Sequence, residues 1–108
     1  MAAWQKVAAV SGFSSVALAA YGAHALKTTD PHFTLVWQRA NSMHIMGSLL
    51  LAISPATKRP NLVGGLAAAG VLLFSGSCYA CALTEDRKWG KGAPLGGVAL
   101  MAAWLALF

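Results

Sequence analysis

The amino-acid sequence predicts an all-α integral membrane protein, folded as an antiparallel bundle of four helices. Over its 108 residues the chain is 57% hydrophobic and only 10% charged, whereas a soluble domain usually carries about 25% charged residues. Residues 61–83 contain no charge, and as a helix of about 35 Å they would cross the hydrocarbon core of a bilayer. Short polar connections separate this run from other apolar runs. A chain this short could not bury so much apolar surface in water, so we expect it to be embedded in a membrane.

The length predicts a single domain over residues 1–108, with helices at about 4–26, 31–54, 61–83 and 93–108. Three full spans are the alternative to four, because the last apolar run is short. The formal charge is +5, but the basic residues lie in the connections, where they bind lipid headgroups at helix ends. No basic stripe or aromatic platform predicts a nucleic-acid interface. The expected surroundings are therefore the lipid bilayer, without nucleic acid and without an identified small-molecule substrate.

The first helix is predicted from residues 7–26, which carry no charge and would extend about 30 Å. Small residues recur on one face at spacings of three and four, which would let another helix approach closely: Gly12, Ser15, Ala19 and Gly22. The same stretch also resembles a secretory signal peptide, with Lys6 as its charged region and Ala23-His24-Ala25 as an A-x-A cleavage site. The small-residue face favours a helix that is retained.

The second helix is predicted to begin at Pro31, which suits a first helical turn, with Thr29 or Asp30 as its cap. Its first part is amphipathic and places Trp37 at headgroup level. The membrane segment that follows, residues 42–54, is only about 20 Å long. It would span if Arg39 extended toward the interface and the bilayer thinned locally.

The third helix is the uncharged run of residues 61–83, and its glycines indicate close contact with neighbouring helices. Gly64, Gly65 and Gly76 are the positions that we single out. The connection before it, residues 56–60, is so short that it can join only antiparallel neighbours. A polar loop then leads to the fourth helix, whose apolar residues 95–108 would extend about 21 Å. This helix could cross a locally thinned bilayer or lie against the other helices.

Three local strings resemble one known family. They are Tyr21-Gly22-Ala23-His24-Ala25-Leu26, Leu73-Phe74-Ser75-Gly76-Ser77-Cys78-Tyr79 and Ala93-Pro94-Leu95-Gly96-Gly97, with His44 and Trp104 as further matches. In this order, over almost the whole chain, they resemble the small membrane proteins that include animal transmembrane protein 256 and bacterial relatives known as a domain of unknown function.

That resemblance implies a multi-pass membrane protein with no agreed biochemical activity and no catalytic residues to carry over. It implies a mitochondrial inner membrane or another internal membrane if the source is eukaryotic, and the inner membrane if it is bacterial. Cys78 and Cys81 depart from the family pattern, so a function built on them would be specific to this chain.

A metal or haem site is the ligand-binding hypothesis. His24 lies late in the first span, His44 early in the second, and Cys78 and Cys81 late in the third, so alternating spans would place them toward one side of the membrane. Zinc accepts two His and two Cys, and haem iron accepts axial His ligands. The structural alternative is that the cysteines act as small apolar residues and each His bonds a neighbouring helix. We therefore assign no cofactor.

No catalytic set is recognised, and the prediction is that the protein is not an enzyme. The three acidic residues all lie in connections, so no carboxylate stands inside a span to relay protons. The glycines lie inside apolar helices, where they serve packing and not phosphate binding. The predicted function is therefore interaction, as a structural or accessory subunit of a larger membrane assembly or as a small homo-oligomer. Binding of metal or haem by His24 and His44, with Cys78 and Cys81, is the alternative.

Overall fold

The computed structural model describes residues 3–108, which form four helices and contain no β-strand. We name them α1 (Ala3–His24), α2 (Pro31–Ile53), α3 (Pro60–Thr84) and α4 (Ala93–Leu105). Short 3₁₀ turns, Ser54–Ala56 and Arg87–Gly92, follow α2 and precede α4. The all-α prediction of four helices is confirmed.

Two of the helices are long and apolar enough to cross a membrane by their length and composition: α1 with 22 residues and α3 with 25. α2 has 23 residues, but polar side chains such as Gln38 and Arg39 interrupt its apolar character. α4 has only 13 residues, which corresponds to about 20 Å of helix. The two helices that the sequence predicts to be marginal spans, α2 and α4, are thus the two that fall short of this test.

Local sequence signals explain where the helices begin and end. The carboxylate of Asp30 accepts a hydrogen bond of 3.0 Å from the backbone N–H of His32, and Pro31 occupies the first turn. The predicted cap of α2 is therefore confirmed. α3 likewise begins at Pro60, and it ends at Glu85, whose φ of 50° lies in the left-handed region that often terminates helices.

The helices pack in chain order, α1 on α2, α2 on α3 and α3 on α4, each antiparallel to the one before. At one end of the bundle Arg59 donates to the backbone oxygen of Ala106 over 3.1 Å and so joins the start of α3 to the end of α4. At the other end the backbone N–H of Thr29 donates to Glu85 over 2.7 Å. α1 and α4 are thus the outer helices, on opposite sides of the pair α2 and α3.

Glycines bring α3 and α4 into backbone contact. A Cβ atom at Gly96 would lie only 2.8 Å from the backbone carbon atoms of Leu73 and Phe74, and one at Gly70 would collide with Leu100. The residues that meet Gly96 belong to a π-helical turn of α3, Val71–Ser75. Such turns are frequent at functional sites, and Leu72 and Ser75 of this turn lie on the side toward α1.

Two apolar clusters lie on either side of the bundle centre. One joins all four helices through Ala8, Leu50, Ala67 and Leu100. The other contains Phe33, Trp37, Ala40, Tyr79, Cys81 and Ala82. Trp37 also donates from Nε1 to the backbone oxygen of Leu18 over 3.1 Å, which fixes α1 against α2.

Candidate functional site

A cleft of about 610 Å³ separates α1 from α3, and α2 forms its floor. Its rim is apolar and exposed: Val10 on α1 is 71% accessible and Leu72 on α3 is 74% accessible. Its floor carries polar side chains from all three helices, namely Ser11, Ser14, His44, Ser75 and Tyr79, and Lys6 lies at one end. This volume is in the range of small-molecule sites, which are mostly apolar with a few placed polar groups.

A chain of hydrogen bonds crosses the floor of the cleft. Asn41 donates from Nδ2 to the hydroxyl oxygen of Tyr79 over 3.1 Å and also to the backbone oxygen of Ser15 over 2.8 Å. The Tyr79 hydroxyl lies 3.0 Å from Nδ1 of His44. Nε2 of His44 lies 3.4 Å from Oγ of Ser14. One network therefore links α1, α2 and α3.

One tautomer of His44 satisfies all of these bonds together. The Ser14 hydroxyl already donates to the backbone oxygen of Ser11 over 2.9 Å, so its oxygen can only accept from Nε2. The Tyr79 oxygen accepts from Asn41, which leaves its own proton for Nδ1 of His44. His44 is thus neutral in this arrangement and carries its proton on Nε2, the nitrogen on the α1 side of the ring.

The hydroxyls of Ser11 and Ser75 at the floor, and that of Ser48 next to Ser11, are also committed. Ser48 donates to the backbone oxygen of His44 over 2.8 Å. Ser11 and Ser48 lie 2.6 Å apart, and because the proton of Ser48 is used, Ser11 is the donor of that pair. Ser75, at the end of the π-helical turn, donates to the backbone oxygen of Ala40 over 2.8 Å. Each hydroxyl proton of these serines is therefore already used inside the protein.

Both ends of the gap between α1 and α3 are held by specific contacts. At the Lys6 end, Trp4 donates from Nε1 to Oδ1 of Asn61 over 3.0 Å, and its ring covers Gly64. At the other end Glu85, just after α3, holds the connection that follows α1. Its carboxylate accepts from the backbone N–H and the hydroxyl of Thr29 at 2.7 and 3.0 Å. These bonds lower the pKa of Glu85 from its usual value. The gap is thus pinned at its ends and open between them.

The five predicted packing glycines divide into two groups. Gly22 and Gly64 make close internal contacts, since a Cβ there would collide with the rings of Trp37 and Trp4. Gly12, Gly65 and Gly76 face open space, with no atom within 4 Å of such a Cβ. Contact of these three glycines with another chain stays a prediction. The sequence reasoning did not single out Gly47, Gly70 and Gly96, which meet Val71, Leu100 and the backbone of Phe74.

The predicted ligand residues are not gathered into one site. Within residues 3–108 no group of three or more His, Cys, Asp or Glu is placed to hold a metal ion. His24 is exposed at the end of α1, whereas His44 is buried beside Ser14. These levels are about 15 Å apart along α1, too far for both rings to bind one iron. Cys81 is buried in the cluster around Trp37, and Cys78 packs against that cluster.

Most residues of the polar floor were not predicted from the sequence. Of its residues only His44 was a candidate. The spacing of Ser11 and Ser14 places both on one face of α1, and Asn41 is a costly residue inside a predicted span. Both signals could have indicated a polar site. Tyr79 gave no such signal, because tyrosines are also common at membrane interfaces.

Comparison with known proteins places the chain in a family. Residues 18–97 match a family described as "Protein of unknown function (DUF423)". The chain belongs to this family. The match covers α2, α3 and their connections together with the end of α1 and the beginning of α4. It therefore includes His44, Ser75 and Tyr79 of the cleft floor, and Asn41, which donates to Tyr79.

Relatives of this DUF423 chain are named as bacterial membrane proteins. UPF0382 membrane protein SSP2132 of Staphylococcus saprophyticus is 35% identical over 92% of this chain and 88% of its own length. UPF0382 inner membrane protein YgdD of Escherichia coli strain K12 is 36% identical over 90% of this chain and 79% of its own length. No solved structure matches the chain. The resemblance to bacterial membrane proteins of unknown function is confirmed. The link to animal transmembrane protein 256 stays a prediction, and these relatives give no support to a mitochondrial location.

Proposed function

We propose that this DUF423 protein is an accessory subunit of the bacterial inner membrane, which packs laterally against a transmembrane helix of another membrane protein. The observation that carries the proposal is the set of open glycines, Gly12, Gly65 and Gly76, for which the chain itself supplies no neighbour. Small residues on a membrane helix allow a second helix to approach closely, and this approach is the main source of helix association in lipid.

α1 is the helix best placed for such a contact. Of the residues in its apolar window only 6% are buried inside the protein, against 28% for α3. Gly12 lies in a shallow groove of about 300 Å³ on the side of α1 away from the cleft, together with Ser15, Ile45 and Ser48. This groove has apolar walls and a thin floor, the shape that receives a ridge of side chains from another helix.

The location rests on the name of the relative from Escherichia coli, which describes an inner membrane protein. The absence of enzymatic activity remains part of the proposal, and it rests on the sequence. The three acidic residues, Asp30, Glu85 and Asp86, all stand in connections between helices. The polar floor of the cleft contains neutral side chains whose hydroxyl protons are already engaged. Self-association of the chain is the alternative, and the same test distinguishes it from binding to another protein.

The test is the native mass of the protein, extracted from its own membrane in a mild detergent, with its co-migrating proteins identified. The chain alone weighs 11.2 kDa, so an accessory subunit should migrate far above this mass and with one recurring partner. Gly12→Leu and Gly65→Leu should release the partner, because a bulky side chain would force the helices apart. Gly76→Leu should act in the same way, but Gly76 also lines the cleft and is the less selective variant.

Val98→Leu is the matched control, since Val98 is 56% exposed on α4 and already carries a side chain. It should leave the partner bound. A wild-type protein that migrates as a monomer would contradict the proposal, as would Leu variants that keep their partner. Migration as a multiple of the chain without another protein would show self-association instead.

A further inference from the structure

One hydrogen-bond donor at the floor of the cleft, Nε2 of His44, reaches its side-chain acceptor only over a long distance. The hydroxyl protons of Ser11, Ser14 and Tyr79 are all committed to oxygen or nitrogen acceptors at 3.1 Å or less. At Nε2 of His44 the Ser14 oxygen lies 3.4 Å away, longer than the usual N–H···O distance of about 2.9–3.0 Å, and the backbone oxygen of Ser11 is the other acceptor. A ligand in the cleft would therefore gain most by presenting an acceptor oxygen to His44.

The depth of His44 restricts which acceptor can reach it. Its partner Ser14 lies near the middle of α1, about 15 Å from either end of the helix. The hydrocarbon core is about 30 Å thick, so this donor stands near the centre of the bilayer. The ester carbonyls of glycerolipids lie at the boundary of the core, about 15 Å away. The acceptor must therefore belong to a molecule whose carbonyl group is itself dissolved in the hydrocarbon.

The charges around the cleft exclude an anionic head at this depth. Lys6 is the one cation among the residues that line the cleft, and it lies eight residues before Ser14 on α1, about 12 Å nearer the helix end. A carboxylate beside His44 would have no partner charge in a medium of low dielectric constant. A neutral carbonyl meets no such cost, and it matches a neutral imidazole donor.

We propose that the cleft binds a quinone-type molecule, a neutral ring with carbonyl oxygens and an apolar tail. One ring oxygen accepts the Nε2 proton of His44. The tail lies along the apolar rim between Val10 and Leu72, toward the open side of the cleft. The cleft volume of about 610 Å³ accommodates such a ring with part of its tail. The proposal concerns binding alone, and it does not depend on the accessory role proposed above.

The test measures binding of a benzoquinone with a ten-carbon tail to the full chain in detergent micelles by native mass spectrometry. Wild-type protein should show a saturable adduct of one quinone per chain. Val10→Trp fills the cleft from its rim without touching the hydrogen-bond network, and we expect it to weaken binding about tenfold or more. Phe13→Trp is the matched control. Phe13 is 77% exposed on the same helix but outside the cleft, and binding should stay within about twofold of wild type.

His44→Leu removes the donor and should weaken binding about tenfold. If His44→Leu does not fold, quinone binding is measured instead with Leu72→Trp, which fills the cleft from the opposite rim and should also weaken binding.

A diacylglycerol with ten-carbon chains tests the other source of carbonyl oxygen, and it should bind far more weakly than the quinone. Equal quinone binding by Val10→Trp and wild type would overturn the proposal. No saturable quinone adduct, or tighter binding of diacylglycerol, would overturn it too. Association is measured separately with Gly12→Leu, which lies outside the cleft.

Discussion

The two faces of α3 show how differently helices can meet within one small bundle. On one face α4 approaches so closely that Gly96 touches the backbone of Phe74. On the other face α1 stands away, and the space between them is the cleft. The close contact is made of glycines. The open one is bordered by Val10 and Leu72, whose side chains prevent a close approach, and is bridged by side chains of α2.

This difference shows that specific contacts within the fold keep the cleft open. In lipid the hydrophobic effect does not drive helices together, so separation must be set by side-chain size and by polar contacts. α1 is held at its start by Trp4 on Gly64, and the connection after it is held by Glu85. Between these points a network through His44 fills the floor. An open centre between fixed ends is the arrangement that suits a ligand.

The largest expected effect is on the close α3–α4 contact. Gly96→Ala places a Cβ against backbone atoms of Leu73 and Phe74, which cannot move aside as a flexible side chain would. We expect it to lower the free energy of unfolding by about 1–3 kcal/mol or more. Thermal unfolding in detergent, followed by circular dichroism, measures the loss.

Gly97→Ala is the matched control for that substitution. A Cβ at Gly97 would meet Cδ2 of Phe74 at 3.8 Å, an ordinary contact. Because Ala is a better helix former than Gly by about 1 kcal/mol, this variant should be as stable as wild type or slightly more so. Equal destabilisation by both variants would show that the close contact does not hold the bundle together.

A smaller effect is expected at the floor of the cleft. Tyr79→Phe removes the hydroxyl that joins Asn41 to His44 and leaves Nδ1 of His44 without its 3.0 Å partner. Hydrogen bonds between membrane helices contribute on average about 0.6 kcal/mol and at most about 1.7, so we expect a loss of about 1 kcal/mol, read by the same unfolding measurement.

Tyr21→Phe serves as the control for the lost hydroxyl. Tyr21 also packs on Trp37, with ring centroids 5.4 Å apart, but it is 41% exposed, so loss of its hydroxyl should change stability little. If Tyr79→Phe is no more destabilising than Tyr21→Phe, the network does not position α1, and the open face depends on its two ends alone.

The sequence predicted the architecture because membrane embedding leaves few choices. Uncharged runs, prolines at helix starts and short connections are enough to indicate four antiparallel helices. The packing was harder to predict. Gly64 and Gly65 are adjacent and chemically identical, yet only Gly64 lies under the ring of Trp4. Which glycine faces a neighbour depends on helix rotation, and in a helix apolar on all sides the sequence gives no amphipathic face to set that rotation.

The candidate site could be predicted only in part. A histidine inside an apolar span is costly, and this identified His44. Its partner Tyr79 stands 35 residues after it, and Asn41, which donates to Tyr79, stands 3 residues before it. Tyr79 reaches His44 because α3 packs on α2 at this level, just after a π-helical turn, Val71–Ser75, which changes the register of α3. No periodicity in the sequence indicates such a turn.

The smallest expected effect concerns the fixed end of the open face. Glu85 accepts from the backbone N–H groups of Thr29 and Asp30 at 2.7 and 3.3 Å, and these bonds hold its pKa below the ordinary 4.5. A group whose pKa is lowered by folding stabilises the fold above its unfolded pKa, and the contribution is lost as pH falls through the folded pKa. Because an amide oxygen is a weaker acceptor than a carboxylate, Glu85→Gln should lower the hydrogen-exchange protection of the Thr29 amide at about pH 7. The difference from wild type should vanish as the pH falls through the folded pKa of Glu85, which lies below 4.5.

Asp86→Asn, in the same loop, is the control, because it removes the same charge from a side chain that bonds Lys88 and not Thr29. It should leave the Thr29 amide protected. Unchanged protection in Glu85→Gln would mean that the carboxylate does not fix this end. The Trp4 contact would then set the distance between α1 and α3 from one end only, and the cleft would be a hinge that opens toward Thr29. Loss of protection in Glu85→Gln alone would establish two fixed ends, and the width of the cleft would then follow from the lengths of α1 and α3 between them.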